Sequence, residues 1–278
     1  MTTCDRDVQT TAEHAYYLHQ PLLQSAPCRL AHFCTLTEGA YGPPAQILME
    51  RTLYPLYRTC LPAGQAAIVA KDICGAGRHH IALPRPPAAL QSKNRFGLLC
   101  PECDSEARAE TARYCSLTIH CVPFVTRCPL HGCAFELGDR CSTHEFSMQS
   151  SGCTGRAENS HRLAKVCARL LADSSHYCAV ERLTDVARVR RYISDDGSIR
   201  LKSLANDISK ALSAGFEDLR LNTWITQVSL VTRALSYLHD STHAFHPVEV
   251  AAMLVALDSI ENSPGVNASM RQVTDRLQ

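Results

Sequence analysis

Apolar positions in the C-terminal half of the chain repeat at intervals of three and four residues, the signature of helices with one buried face. Leu163, Val166, Cys167, Leu170 and Leu171 form one such stripe, and Leu201, Leu204, Ile208 and Leu212 form a second. A third runs through Trp224, Val228, Val231, Leu235 and Leu238. A fourth segment, PVEVAAMLVAL, opens with Pro247, which suits a first helical turn, and is apolar nearly all round, so it is expected to be buried.

The N-terminal half is less regular. Residues 1–50 have no clean period, and their short apolar pieces YYLHQPLL and CRLAHFCTL are consistent with helix turns. From Thr52 the text TLYPLYRTCLPAGQAAIVAK predicts a helix that starts near Pro62 and stops at Gly75 and Gly77. The GAGRHH that follows lacks the third glycine of a phosphate-binding loop and comes after a helix, not a strand, so it predicts no nucleotide site. The connector LPRPPAAL cannot continue a helix and sets a boundary near residue 92.

Directly after that connector, polar patterning gives way to a run dense in cysteine and histidine. Zinc takes four tetrahedral nitrogen or sulfur ligands, and a two-residue gap lets one turn present two of them to the same ion. CPEC (Cys100, Cys103) and CPLH (Cys128, His131) are two such turns, each with proline after its first cysteine. They predict one bound zinc. Four protein ligands leave no open position to activate water, so that zinc is expected to be structural. Cys115, Cys121 and Cys133 read as reduced thiols outside the set, and His120 as a hydrogen-bonded core residue. Cys141, His144 and Cys153 outline a second site, but the position that would complete its second turn holds Arg156.

Composition changes this picture in three ways. The chain has 278 residues and 15 cysteines, long enough for a core that needs no disulfides. The opening MTTCDRDVQTTAEHAYYLHQ has no apolar signal region, so the expected compartment is a reducing cytoplasm, where clustered cysteines favour metal and isolated ones such as Cys34, Cys60 and Cys167 act as small buried hydrophobes. No apolar run approaches the roughly 18 residues of a membrane span. A formal net charge of +1 gives no global pull toward nucleic acid, so phosphate contacts must come from a local patch. Arg188, Arg190, Arg191, Arg200 and Lys202, flanking a predicted helix start, are the candidate DNA contacts, against the alternative of a solvated mixed-charge face. H-E-x-x-H, the zinc-deaminase pair of motifs, G-x-S-x-G and a Walker loop are all absent, which argues against the enzyme classes they mark.

Three stretches together resemble the TniQ/TnsD family of transposon target-selection proteins. RTLYPLYRTCLP followed by GAGRHHIALP is similar to a family segment through Thr52, Leu53, Tyr54, Pro55, Gly77 and His80. LLCPECDSEARAETARYCSLTIHCVPFVTRCPLHGCAFEL resembles the family's zinc region, with Tyr114 and His120 on its aromatic and histidine, and Cys115 where a tryptophan is usual. RYISDDGSIRLKSLANDISKAL and HAFHPVEVAAMLVAL are similar to looser C-terminal segments, the first helix-turn-helix-like and the second a buried His-Pro helix.

The fold class expected is mainly α, with a small zinc-ribbon or zinc-knuckle module and a C-terminal helix-turn-helix-like region. Residues 1–92 form the helical N-terminal part of a TniQ-like domain, 93–158 the zinc module and 159–278 the C-terminal helices. The resemblance implies a non-enzymatic transposition adaptor that selects a target, either DNA or an RNA-guided effector complex, and recruits an AAA+ ATPase regulator. A homodimer is compatible with that role. A zinc-ribbon DNA-binding transcription regulator is the alternative with the same parts.

Overall fold

A computed structural model describes residues 30–75, 98–111, 118–122, 124–137, 154–172, 179–227 and 246–261. These residues are mostly helical. Four helices come first: α1 (Leu30–Leu36), α2 (Pro44–Glu50), α3 (Tyr54–Arg58) and α4 (Ala63–Cys74). Proline explains the starts of the last three, because a residue without a backbone N–H costs nothing in the first turn. Pro44 and Pro55 lie in the first turns of α2 and α3, and Pro62 caps α4, which ends at Gly75 as the sequence predicts.

The TLYP segment is a tightly satisfied bend. The Thr52 hydroxyl donates to the Leu48 carbonyl and accepts the Tyr54 N–H, while the Tyr54 hydroxyl donates to the Ala66 carbonyl at 2.8 Å. This closes α3 onto α4.

Two strands too short to be visible in the periodicity, β1 (Leu98–Leu99) and β2 (Glu136–Leu137), pair antiparallel with Leu98 opposite Leu137. Between them lie α5 (Pro101–Thr111) and a single 3-10 turn over Thr118–Cys121. The C-terminal part contributes α6 (Thr154–Ala172), α7 (Ala179–Val189), α8 (Leu201–Ala211), α9 (Leu219–Gln227) and α10 (Pro247–Glu261).

The expected stripes on α6 and α8 are present in most of their members: Leu163, Val166, Cys167, Leu170, Leu204, Ile208 and Leu212 are buried, whereas Leu171 is half-buried and Leu201, at the start of α8, is exposed. Cys60 and Cys167 are buried thiols, and Cys34 is half-buried. Every residue of α10 from Val248 to Leu257 is buried, with α6, α7 and α8 packed around it. Of the third stripe Trp224 is buried on α9, whereas Val228, Val231, Leu235 and Leu238 lie outside the described residues. One continuous apolar cluster joins the N-terminal helices, the strand pair and the C-terminal helices, and α6 runs through the expected boundary at residue 158.

Within RYISDDGSIRLKSLANDISKAL the chain makes a tight hairpin, Ile193 opposite Ile199, and then one helix, α8. Gly197 turns the hairpin at a φ of 80°, a left-handed conformation that suits glycine. Among the described residues no helix is long and apolar enough to cross a membrane.

Candidate metal centre

Cys100 follows β1 and sits just before α5, so its thiol faces the N-terminus of that helix. The Cys103 N–H donates to the Cys100 sulfur at 3.3 Å and the Asp104 N–H to the Cys100 carbonyl at 2.9 Å. Backbone donors at a helix start favour a negative sulfur. The second turn is a hairpin tip: Arg127 bridges Ala134, the Cys128 N–H donates to the Cys133 carbonyl, and the Gly132 N–H donates back to the Cys128 carbonyl. Gly132 holds a φ of 72°, a left-handed conformation that favours glycine, and a Cβ on it would press against the His161 ring at 3.2 Å.

These two turns meet. The Nδ1 atom of His131 lies 3.4 Å from the Cys100 sulfur, 3.3 Å from that of Cys103 and 3.6 Å from that of Cys128, and the Cys103 and Cys128 sulfurs are 3.7 Å apart. All four ligand atoms lie within 4.8 Å of one another. A tetrahedral zinc with ordinary bond lengths requires edges of about 3.8 Å between sulfurs and about 3.6 Å between sulfur and nitrogen. The observed edges match, so this cluster could hold a metal ion.

The surroundings fit the same use. The three cysteines are buried, and the outer nitrogen of His131, Nε2, faces the Glu106 carboxylate at 3.3 Å with Glu102 at 3.9 Å. A carboxylate behind a ligating imidazole fixes its tautomer and ring orientation. Burial pushes the Cys103 thiol up, and contacts with Cys100 and Cys128 add to this. Cys100 shows the opposite balance: burial raises it, but the Cys103 N–H and the neighbouring thiols more than offset that and hold it below the ordinary thiol range.

A polar stripe on α6 and the loop before α9 fastens the hairpin to the rest of the molecule. Arg127 forms a two-pronged ion pair with Glu217, at 2.9 Å from Nε and 2.6 Å from Nη2, and its third nitrogen donates to the Gly132 carbonyl. Thr126 also donates to Glu217. Ser160 accepts the Glu217 N–H, and His161 Nε2 lies 3.2 Å from the Pro129 carbonyl, to which it can only donate. Sequence reasoning missed Arg127, Glu217 and His161. No local signal links an arginine to a glutamate 90 positions away.

His120 does not ligate and, among the described residues, has no hydrogen bond, contrary to the bonded core residue expected from sequence. Its ring packs edge-on against Phe135 with centroids 4.8 Å apart, and burial lowers its pKa to about 4. Replacing His120 with Asn is expected to cost about 1–3 kcal/mol in chemical denaturation with metal content unchanged, since shape and edge-on packing are lost and no ligand is. Metal lost from a chain that still folds would reverse that assignment.

Cys133 is nearer the centre than expected, its sulfur 3.2 Å from that of Cys100. Cys115, Cys141, His144 and Cys153 lie outside the described residues, as do Tyr114, Gly77 and His80. Arg156 belongs to α6 and donates to the Ala214 carbonyl. Of the basic candidates, Arg188, Arg191, Arg200 and Lys202 are exposed around the hairpin and the first turn of α8, with Arg188 paired to Asp185. Arg190 is half-buried, its Nε and Nη2 shielded from solvent.

No family model and no curated protein matches the chain.

Proposed function

We propose that the protein is a non-enzymatic adaptor of the TniQ/TnsD type, built around one structural zinc held by Cys100, Cys103, Cys128 and His131. The observation that carries the metal part of this reading is that four of the six ligand edges measure 3.3–3.7 Å and all six lie within 4.8 Å. Three cysteines and a histidine form a donor set that suits zinc above the other common ions. When bound, zinc supplies folding energy to a two-stranded unit too small to fold alone. With all four positions filled by side chains, the chemistry left to the module is recognition.

Two features support the adaptor part. The family-like TLYP bend, zinc turns and His-Pro helix share one core, and exposed basic residues cluster where the hairpin meets α8. In this role the protein contacts target DNA or an effector complex and recruits an AAA+ regulator. Co-elution with an AAA+ transposition ATPase is the deciding measurement. Sequence-specific duplex binding without ATPase capture would instead favour a zinc-ribbon transcription regulator.

The DNA contact has its own test. Arg191→Ala combined with Lys202→Ala, both exposed, should weaken duplex binding regardless of sequence and flatten its salt dependence by about two charges' worth. If the unmodified protein fails to shift DNA at low salt, or the double substitution changes nothing, recognition runs through a protein partner.

A further inference from the structure

We infer that Cys100 and Cys133 form an oxidisable pair, and that joining them as a disulfide withdraws one ligand from the metal centre. The metal-release part rests on the metal reading above, whereas the pairing itself does not. The two sulfurs are 3.2 Å apart, closer than the about 3.8 Å edge that two sulfurs share when both bind one tetrahedral zinc. Cys133 thus touches a ligand without occupying a ligand position, because the four that meet around one point are Cys100, Cys103, Cys128 and His131. It is a surplus thiol against a closed coordination sphere.

The hairpin holds it there. The Cys133 carbonyl accepts the Cys128 N–H, and its neighbour Ala134 bridges Arg127, so the backbone on both sides is pinned while the side chain points at Cys100. Closing to a disulfide bond of about 2.05 Å needs a sulfur movement of roughly 1 Å, within reach of a side-chain rotation. Cys100 is fully buried, but Cys133 is half-buried at the rim, where a small oxidant can arrive. A reachable sulfur beside a second that can resolve it is the arrangement found at redox-sensitive thiols.

The oxidant is hydrogen peroxide. One sulfur attacks a peroxide oxygen, the O–O bond breaks, one oxygen leaves as water, and the sulfur becomes a sulfenic acid. The second sulfur attacks it, the S–O bond breaks, and the other oxygen leaves as water. Two thiols are oxidised to one disulfide while one peroxide is reduced to two waters. Where zinc holds Cys100 as a thiolate, one of the protons required comes from solvent.

The test treats the full chain with hydrogen peroxide, maps disulfides by mass spectrometry and follows zinc with a chromogenic chelator. Expected are a Cys100–Cys133 link, metal release in step with its formation, and reversal of both by a thiol reductant with added zinc. Cys133→Ala should bind zinc as the unmodified chain does and release it several-fold more slowly under peroxide. A dominant Cys103–Cys128 link would overturn the pairing, equal release rates would overturn its coupling to the metal, and failure of Cys133→Ala to bind zinc would overturn its place outside the ligand set. The last outcome would make Cys133 a ligand. If the purified chain carries no metal, the metal reading fails by itself, and the disulfide map still decides the pair. Should the variant not fold, the map in the unmodified chain remains decisive.

Discussion

Replacing Cys100 with serine is expected to abolish metal binding and to lower the thermal unfolding midpoint by about 7–20 °C. The magnitude follows from comparing two quantities. Structural zinc sites contribute apparent binding free energies of about 10–16 kcal/mol at neutral pH, while a whole domain is stable by about 5–15 kcal/mol. Losing even a third of the metal's contribution therefore removes a large share of total stability, and in a chain of this size each kcal/mol shifts the midpoint by about 2–4 °C. The segment has little else of its own to hold it. Its strands are two residues each, and its second turn depends on Arg127 and Glu217 meeting in register. Elemental analysis of the unmodified protein should give one zinc per chain, and the serine variant none. No zinc in the former, or full zinc in the latter, would remove the claim.

How far the sequence reveals this arrangement depends on the range of the interaction. Cys100, Cys103, Cys128 and His131 are legible because each pair is local: a two-residue gap and a proline dictate the turn, whatever the rest of the chain does. Buried stripes on α6 and α8 are legible for the same reason, since a helix states its period within a dozen residues, and α10 is legible because it is apolar all round. What escapes is whatever joins distant segments. The Arg127–Glu217 pair, the His161 contact to Pro129 and the approach of Cys133 to Cys100 are set by how the hairpin docks, and docking leaves no local pattern. The strands β1 and β2 escape because two residues carry no period.

His246 shows the same limit at the other end of the chain, and it carries the second large effect: acid is expected to destabilise the fold through this residue. Proline at the start of α10 is readable from sequence, but what the preceding histidine does is not. Its Nδ1 accepts the Val248 N–H, and its own N–H is turned toward the Glu249 carboxylate, a reciprocal cap. Because Nδ1 accepts, the proton of the neutral ring sits on Nε2, which meets the Tyr57 hydroxyl at 3.2 Å across 189 positions of sequence. Tyr57 and Phe124 both present ring edges or faces to it. Burial therefore lowers its pKa to about 3. The unfolded chain takes up this proton near pH 6.5 and the folded chain does not until about pH 3, so the contribution is complete above pH 6.5 and is lost as pH falls toward 3. Across that window the loss approaches about 1.4 kcal/mol per pH unit. His246→Asn is the informative variant, because asparagine can still cap Val248 but cannot titrate or reach Tyr57. Measured by denaturant unfolding with zinc present, it should be less stable than the unmodified chain at pH 7 by about 1–3 kcal/mol. Between pH 6.5 and 5 its stability should fall less steeply by about one proton's worth, so the two curves converge. The metal ligands are common to both chains and cancel in the difference. Parallel curves would mean that His246 takes up its proton in the folded chain as it does in the unfolded one, and is not held neutral by the fold.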